Sequence, residues 1–207
     1  MVMRYLGVLW LLFLFFSCAT SGAGSGVGEN PAERIHLPIP RIPERIMGKG
    51  LVPSGDLASF LLSANPQGDA DFVKTLTGYY IQEADLEGVN HDIAFAQMCL
   101  ETGFLKYGNL ATPDMNNFCG LGSISEAEPG ERFPNPQIGV RAQIQHLKGY
   151  ASADPLVQDL VDPRFKWIPR GSAGTIHDLA GKWATDPDYG DKIAGILRRL
   201  YAFAFDR

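Results

Sequence analysis

The sequence has little cysteine and histidine and no long run of one charge. Three Cys and four His occur in 207 residues, with no His-x-x-x-His and no Cys-x-x-Cys pair, so neither a metal site nor a cofactor is expected. Eighteen Lys and Arg stand against 23 Asp and Glu, a formal net charge of -5. Without a basic stripe to meet phosphates, nucleic-acid binding is excluded as a class of function.

No apolar run is long enough to span a bilayer, which needs about 20 residues. The run from Tyr5 to Phe16 follows Arg4 and suits the apolar core of a secretory signal, so residues 1–17 are predicted to be a signal peptide. Cys18 follows Ser17 and precedes small, flexible residues, which resembles a bacterial lipoprotein signal with an acylated Cys. The alternative is an ordinary cleaved signal. The chain is predicted to be exported to the cell envelope and anchored to a bacterial membrane at Cys18, on its periplasmic or outer-surface side.

Residues 18–55 have the composition of a flexible tether. Gly and Ser follow Cys18, and Pro38, Pro40 and Pro43 come in a stretch that cannot hold a helix. Residues 56–207 are then predicted to form one domain, which is long enough to bury a single core and is expected to be monomeric.

The hydrophobic periodicity of this domain is mostly helical. Between the second and third predicted helices, the segment from Gly120 to Gly139 is polar and rich in Gly and Pro, which indicates an irregular loop or a small β-hairpin lobe. A mainly α fold is predicted, with helices over residues 72–84, 92–102, 140–151, 175–184 and 189–205. Gly88 is expected to end the first of these helices, and Thr175-x-x-Asp178, a variant of the capping-box pattern, is expected to begin the fourth.

Glu101 is the residue most suited to acid catalysis. It lies at the end of the most apolar predicted helix, which Gly103 is expected to terminate. Apolar surroundings and the negative end of the helix dipole both disfavour the carboxylate, so both raise its pKa. A raised pKa is what a general acid near neutral pH requires. The alternative is a Glu side chain that reaches past the helix end into solvent.

Three sequence blocks resemble the glucosaminidase domain of bacterial cell-wall hydrolases, a family of endo-β-N-acetylglucosaminidases with a lysozyme-like fold. These blocks are Gln97-x-x-x-Glu101-Thr102-Gly103, Asn116-Asn117-Phe118-Cys119-Gly120-Leu121-Gly122 and Trp183-Ala184-Thr185-Asp186-Pro187-Asp188-Tyr189. The resemblance implies that Glu101 is the catalytic acid and that Tyr189 lines the cleft and matters for catalysis. It also implies cleavage of peptidoglycan strands at the β-1,4 bond after N-acetylglucosamine. The alternatives are a muramidase or lytic transglycosylase acting on the other linkage, and a non-catalytic wall-binding lipoprotein.

The remaining residues of these blocks have two interpretations each. The Asn116 and Asn117 amides suit sugar hydroxyls and N-acetyl groups, although Asn pairs also favour turns. Phe118 and Trp183 offer a flat face to a sugar ring, or pack in the core. Gly120 permits a close backbone approach or a positive φ.

A second catalytic carboxylate is not identified by the sequence. Glycosidases that use two carboxylates hold them about 5–5.5 Å apart when retaining and about 6.5–9.5 Å apart when inverting. Glu126, Glu128 and Glu131 in the polar segment are candidates. The 2-acetamido oxygen of the substrate is the alternative nucleophile, which removes the need for a second carboxylate.

Cys99 and Cys119 form an even pair in an exported domain. They can form a disulfide that links the helix of Glu101 to the Asn-Asn loop. The alternative is two buried free thiols that pack as small apolar residues.

Overall fold

The computed structural model describes residues 38–108, 112–123 and 130–206. The predicted signal peptide, Cys18, Glu126 and Glu128 lie outside these ranges. Within them the fold is mainly helical, as predicted, and the strand-like pairing consists of isolated bridges such as Met47 with Val89. None of the helices in these ranges has the length and apolar character to cross a membrane. The α-helices are α1 (Ser54–Ala64), α2 (Ala70–Glu87), α3 (His91–Thr102), α4 (Pro136–Ala151) and α5 (Tyr189–Phe205).

Helix α3 is the centre of the fold. Its side chains are buried on nearly every side because the sequence is apolar around the whole helix, and it packs against α2, α4 and α5. The side chain of Asn90 caps its start by accepting hydrogen bonds from the N–H groups of Asp92 and Ile93. Gly103 ends it in the left-handed conformation with a φ of 58°, so the predicted C-terminus is confirmed.

Helices α2 and α5 also follow the predicted pattern. Asp69 caps α2 by accepting from the N–H groups of Asp71 and Phe72, and Gly88 ends it with a φ of 72°. Helix α5 places one apolar face on the core, consisting of Ile193, Ile196, Leu197, Leu200 and Tyr201.

The helix predicted over residues 175–184 is wrong. The expected capping contacts exist, since Thr175 N–H donates to Asp178 Oδ2 at 2.9 Å and Asp178 N–H donates to Thr175 Oγ1 at 3.3 Å. They begin only a short 3₁₀ turn, His177–Leu179. Gly181 then takes a φ of 73°, and its N–H donates to the Ala184 carbonyl oxygen at 2.7 Å. This tight turn reverses the chain before a second helical turn can form.

The last residues of the predicted tether are part of the packed body. Ile46 and Val52 are fully buried, and the Ile46 N–H donates to the Gly174 carbonyl at 3.0 Å. The buried carboxylate of Asp92 accepts hydrogen bonds from the N–H groups of Leu51 and Val52. Residues 44–55 therefore belong to the packed body, although the sequence assigns them to the tether. Their contacts join distant parts of the chain, which no local pattern reveals.

Two buried ion pairs join α2 to α4. Arg141 Nε donates to Glu83 Oε2 at 2.9 Å, and Lys148 Nζ donates to Glu87 Oε2 at 2.8 Å. Both glutamate side chains are fully buried. Glu87 also accepts the N–H of Val157, so its carboxylate is held by a cation and by the backbone of the loop after α4.

Candidate active site

Glu101 and Tyr189 meet in space although 88 residues separate them in sequence. Glu101 lies in the last turn of α3, and Tyr189 is the first residue of α5. The Tyr189 hydroxyl donates a hydrogen bond to one carboxylate oxygen of Glu101. The indole of Trp183, which can only donate, also hydrogen bonds to this carboxylate. The structure thus brings together three residues that the sequence assigned to the site.

Burial raises the pKa of the Glu101 carboxyl, and the hydrogen bonds from Tyr189 and Trp183 oppose that rise only in part. Burial, followed by the nearby charge of Glu101, raises the pKa of the Tyr189 phenol well above its usual value. Glu101 therefore takes up a proton at a higher pH than an ordinary glutamate, while Tyr189 stays a hydrogen-bond donor. A carboxyl group in this state can protonate a leaving oxygen.

A cavity of about 250 Å³ adjoins Glu101. Two of its lining residues lie beside the Glu101 side chain. Gly120 leaves room for that side chain, and Trp183 hydrogen bonds to its carboxylate. Gly120 has a φ of 67°, and a Cβ there would lie 3.7 Å from Glu101 Oε2. The other lining residues are Cys119, Leu121, Gly122, Ser123, His146, Tyr150, Arg164, Trp167, Ile168 and Lys182.

Trp183 is held in place by a second set of aromatic side chains. The His146 ring packs edge-on against it, with centroids 4.9 Å apart, and Tyr150 lies 6.2 Å away. His146 is itself fixed by a hydrogen bond of 2.7 Å between its Nδ1 and the buried Asp162. His146 also lines the cavity. In the described ranges no group of three or more His, Cys, Asp or Glu could hold a metal ion.

The two Asn side chains are used by the loop itself. Asn117 is buried, its Nδ2 donates to the carbonyl oxygens of Leu121 and Glu131, and its Oδ1 accepts the Leu121 N–H. Asn116 has a φ of 52°, and its Nδ2 donates to the Phe133 carbonyl at 2.9 Å. The turn interpretation therefore describes both residues. The prediction that Asn117 contacts a sugar is corrected, because its amide already binds the backbone of the loop.

Phe118 is fully buried in the core, so it offers no face to a sugar ring. Of the two aromatic residues proposed for stacking, only Trp183 borders the cavity. Among the three candidate second carboxylates, Glu131 lies in the described ranges. Its Oε1 is 3.8 Å from a guanidinium nitrogen of Arg164, and a Cβ on Gly122 would lie 3.1 Å from the same oxygen.

Cys99 and Cys119 are free, buried thiols. Cys119 lines the cavity beside Glu101, whereas Cys99 lines a shallow depression between α3 and α5. Burial raises the pKa of both thiols. The structure therefore has the free-thiol alternative rather than the disulfide.

Sequence reasoning missed Gln143. Its amide lies at the centre of the core, fully buried, and donates to Gln97 Oε1 at 2.8 Å, while Gln97 Nε2 donates to the Tyr189 hydroxyl at 3.0 Å. One signal was available, because Val140, Gln143 and Leu147 fall on one helical stripe. An amide inside an apolar stripe must find buried partners.

Comparison with known proteins identifies the family. Residues 77–202, more than half of the chain, match the glucosaminidase family, described as mannosyl-glycoprotein endo-beta-N-acetylglucosaminidase. An uncharacterized protein of Borreliella burgdorferi is 42% identical over 158 residues, which cover 76% of this chain and 78% of the relative. The crystal structure of S. aureus autolysin E in complex with the muropeptide NAM-L-Ala-D-iGlu matches with a TM-score of 0.50 and 14% identity, over 77% of this chain and 73% of that one. The fold is thus shared with that autolysin, and the chain belongs to the glucosaminidase family of glycoside hydrolases.

Proposed function

We propose that this protein hydrolyses peptidoglycan at the β-1,4 bond after N-acetylglucosamine, with Glu101 as the general acid. The observation that carries the proposal is the partly buried Glu101 carboxyl, which adjoins a cavity and is held by Tyr189 and Trp183. Its raised pKa lets it carry a proton to the glycosidic oxygen as the bond breaks. Peptidoglycan as the substrate is supported by the family match and by the fold shared with an autolysin that binds a muropeptide.

The attack on the anomeric carbon comes from the 2-acetamido oxygen of the substrate or from a water molecule activated by a second Glu. Glu131 is a candidate for that second role because it lies beside Gly122, which lines the cavity. The variants Glu126→Gln, Glu128→Gln and Glu131→Gln separate the two routes. Loss of turnover in one of them identifies a base, and unchanged turnover in all three supports attack by the acetamido group.

Mass spectrometry of purified peptidoglycan after digestion tests the proposal. The wild type should release fragments with reducing N-acetylglucosamine ends, and Glu101→Gln should release none. Asp85→Asn, which alters an exposed carboxylate on α2, is the matched control and should behave as the wild type.

Other products would lead to other conclusions. Fragments with reducing N-acetylmuramic acid indicate a muramidase, and anhydro-muramyl ends indicate a lytic transglycosylase. Intact peptidoglycan that nevertheless pellets with the folded protein indicates a wall-binding lipoprotein without activity. Each of these results contradicts the proposed bond specificity.

We also propose that Cys18 carries a lipid anchor that holds the enzyme at the cell envelope. With residues from about 44 onward packed, about 25 residues remain as a tether. A flexible chain of that length spans about 25–30 Å. Fractionation after labelling with a radioactive fatty acid tests this: the label should appear in the membrane fraction with the wild type and disappear with Cys18→Ser.

A further inference from the structure

We propose that Gln97 and Gln143 are positioning residues that fix the direction of the hydrogen bond between Tyr189 and Glu101. This inference deepens the proposed function and rests on Glu101 being its acid. It assigns a role to buried amides on two different helices, neither of which lines the cavity.

Five groups form a continuous buried chain of hydrogen bonds that ends at Glu101. Its distances are 2.6 Å from Tyr80 Oη to Gln143 Oε1, 2.8 Å from Gln143 Nε2 to Gln97 Oε1, and 3.0 Å from Gln97 Nε2 to Tyr189 Oη. The Tyr189 hydroxyl then donates to Glu101. Tyr80, Gln97 and Gln143 have no exposed surface, so their polar atoms depend on one another for partners.

The backbone carbonyl of Ala94 sets the direction of this chain. Gln143 Nε2 donates to the Ala94 oxygen at 3.0 Å, and a carbonyl oxygen can only accept. The NH₂ group of Gln143 must therefore face α3, where its second hydrogen goes to Gln97 Oε1. With its oxygen so engaged, Gln97 presents its own NH₂ group to Tyr189.

The consequence for Tyr189 follows from its single hydroxyl proton. Because its oxygen accepts from Gln97, which offers no acceptor on that side, its proton goes to Glu101. The opposite arrangement, in which a protonated Glu101 donates to Tyr189 and Tyr189 donates to Gln97, requires Gln97 to turn over. Turning it over would set two NH₂ groups against each other at Gln143.

The two glutamines therefore disfavour the protonated form of Glu101, because its carboxyl proton finds no acceptor at Tyr189. This lowers the pKa of Glu101 and offsets part of the rise that burial causes. The variant Gln143→Met frees the Gln97 amide to turn, so the protonated carboxyl gains an acceptor. The pKa of Glu101 should then rise by about half to one unit, a three- to tenfold increase in proton affinity. In Gln97→Met, Tyr189 keeps Glu101 as its acceptor and no competing oxygen appears, so that pKa should stay near the wild-type value.

Carbon-13 NMR of glutamate carboxyl groups measures this pKa in the full chain, with the Glu101 signal assigned by its absence in Glu101→Gln. The matched control is Gln145→Met, which removes another fully buried amide of α4. Its partners, the backbone groups of Asp159, Val161 and Asp162, lie outside the chain of bonds. We expect a raised pKa in Gln143→Met alone, with the wild-type value in Gln97→Met, in Gln145→Met and in the double variant Gln97→Met/Gln143→Met.

If the two glutamines only support the packing, the pKa of Glu101 should change more in Gln97→Met than in Gln143→Met, because Gln97 is nearer to Glu101. A pKa that rises as much in Gln97→Met as in Gln143→Met, or that stays raised in the double variant, overturns the proposal. The titration is read without turnover. If the NMR pattern appears in a protein that cuts no peptidoglycan, the positioning role stands and the proposed activity fails.

Discussion

The variant Tyr189→Phe tests how the site controls the proton on Glu101. It removes one oxygen atom that donates to the carboxylate of Glu101 and accepts from Gln97. A hydrogen bond to a charged group is worth about 1.5–3 kcal/mol. At 1.36 kcal/mol for each pKa unit, its loss should raise the pKa of Glu101 by about one to two further units.

The same change should appear in the pH dependence of stability. The pKa of Glu101 is raised by folding, so its contribution to stability is fully present below the pKa of the unfolded chain. That contribution is lost as the pH rises through the folded-state value. Because the variant raises the folded-state pKa further, the loss of stability grows with pH. The gap in unfolding free energy between wild type and Tyr189→Phe should widen by about 1.5–3 kcal/mol between pH 4 and pH 8.

Urea unfolding at several pH values measures this gap, and the alkaline limb of kcat/KM should move to higher pH by the same number of units. Tyr79→Phe, at a half-buried position of α2, is the matched control and should show a gap that does not depend on pH. In the Glu101→Gln background, Tyr189→Phe should lose its pH dependence. A gap of constant size from pH 4 to pH 8 in the wild-type background would refute the coupling between these two groups.

Two further predictions concern a close backbone contact and a buried ion pair. Gly139→Ala should lower the melting temperature sharply, because its Cβ would lie 1.8 Å from the Asn116 carbonyl oxygen. Gly195→Ala has open space around the new Cβ and should raise the melting temperature slightly, because alanine favours the helix. Equal melting temperatures in the two variants would contradict this. Lys148→Met should destabilise the protein by about 3–5 kcal/mol near pH 7, since it leaves the buried Glu87 carboxylate unpaired. Burial alone would raise the pKa of Glu87, but Lys148 and the N–H groups of Val157 and Gln158 together bring it below its usual value. Without Lys148 that pKa should rise, so the penalty should shrink toward pH 4 as the carboxyl takes up a proton. Urea unfolding that shows the same penalty at both pH values would contradict this.

Four of the five α-helices could be predicted because their signals are local, whereas α1 was not predicted. Gly88 and Gly103 end α2 and α3 where the sequence indicates, and both take a left-handed φ that glycine adopts without strain. The helix predicted over residues 175–184 failed for the opposite reason. Its capping residues, Thr175 and Asp178, were identified correctly, but the turn at Gly181 depends on a contact with Ala184 rather than on the cap.

The site could be predicted only where short motifs carry it. Glu101, Tyr189 and Trp183 belong to such motifs, and the structure brings them together. The supporting contacts join residues far apart in sequence, such as Gln143 with Gln97, which are 46 positions apart. Periodicity shows which side of a helix is buried, but it does not show which distant side chain meets it there.

The meeting of α3 and α5 also sets an order in time. During synthesis, Glu101 leaves the ribosome well before Tyr189, which opens the last of the described helices. Until α5 packs against α3, the Glu101 carboxyl has no tyrosine donor and the Gln97 amide has no phenol oxygen to bind. A nascent chain that has folded only as far as α4 therefore holds the acid without its controlling partner, so the complete site forms only after α5 has been made and has packed.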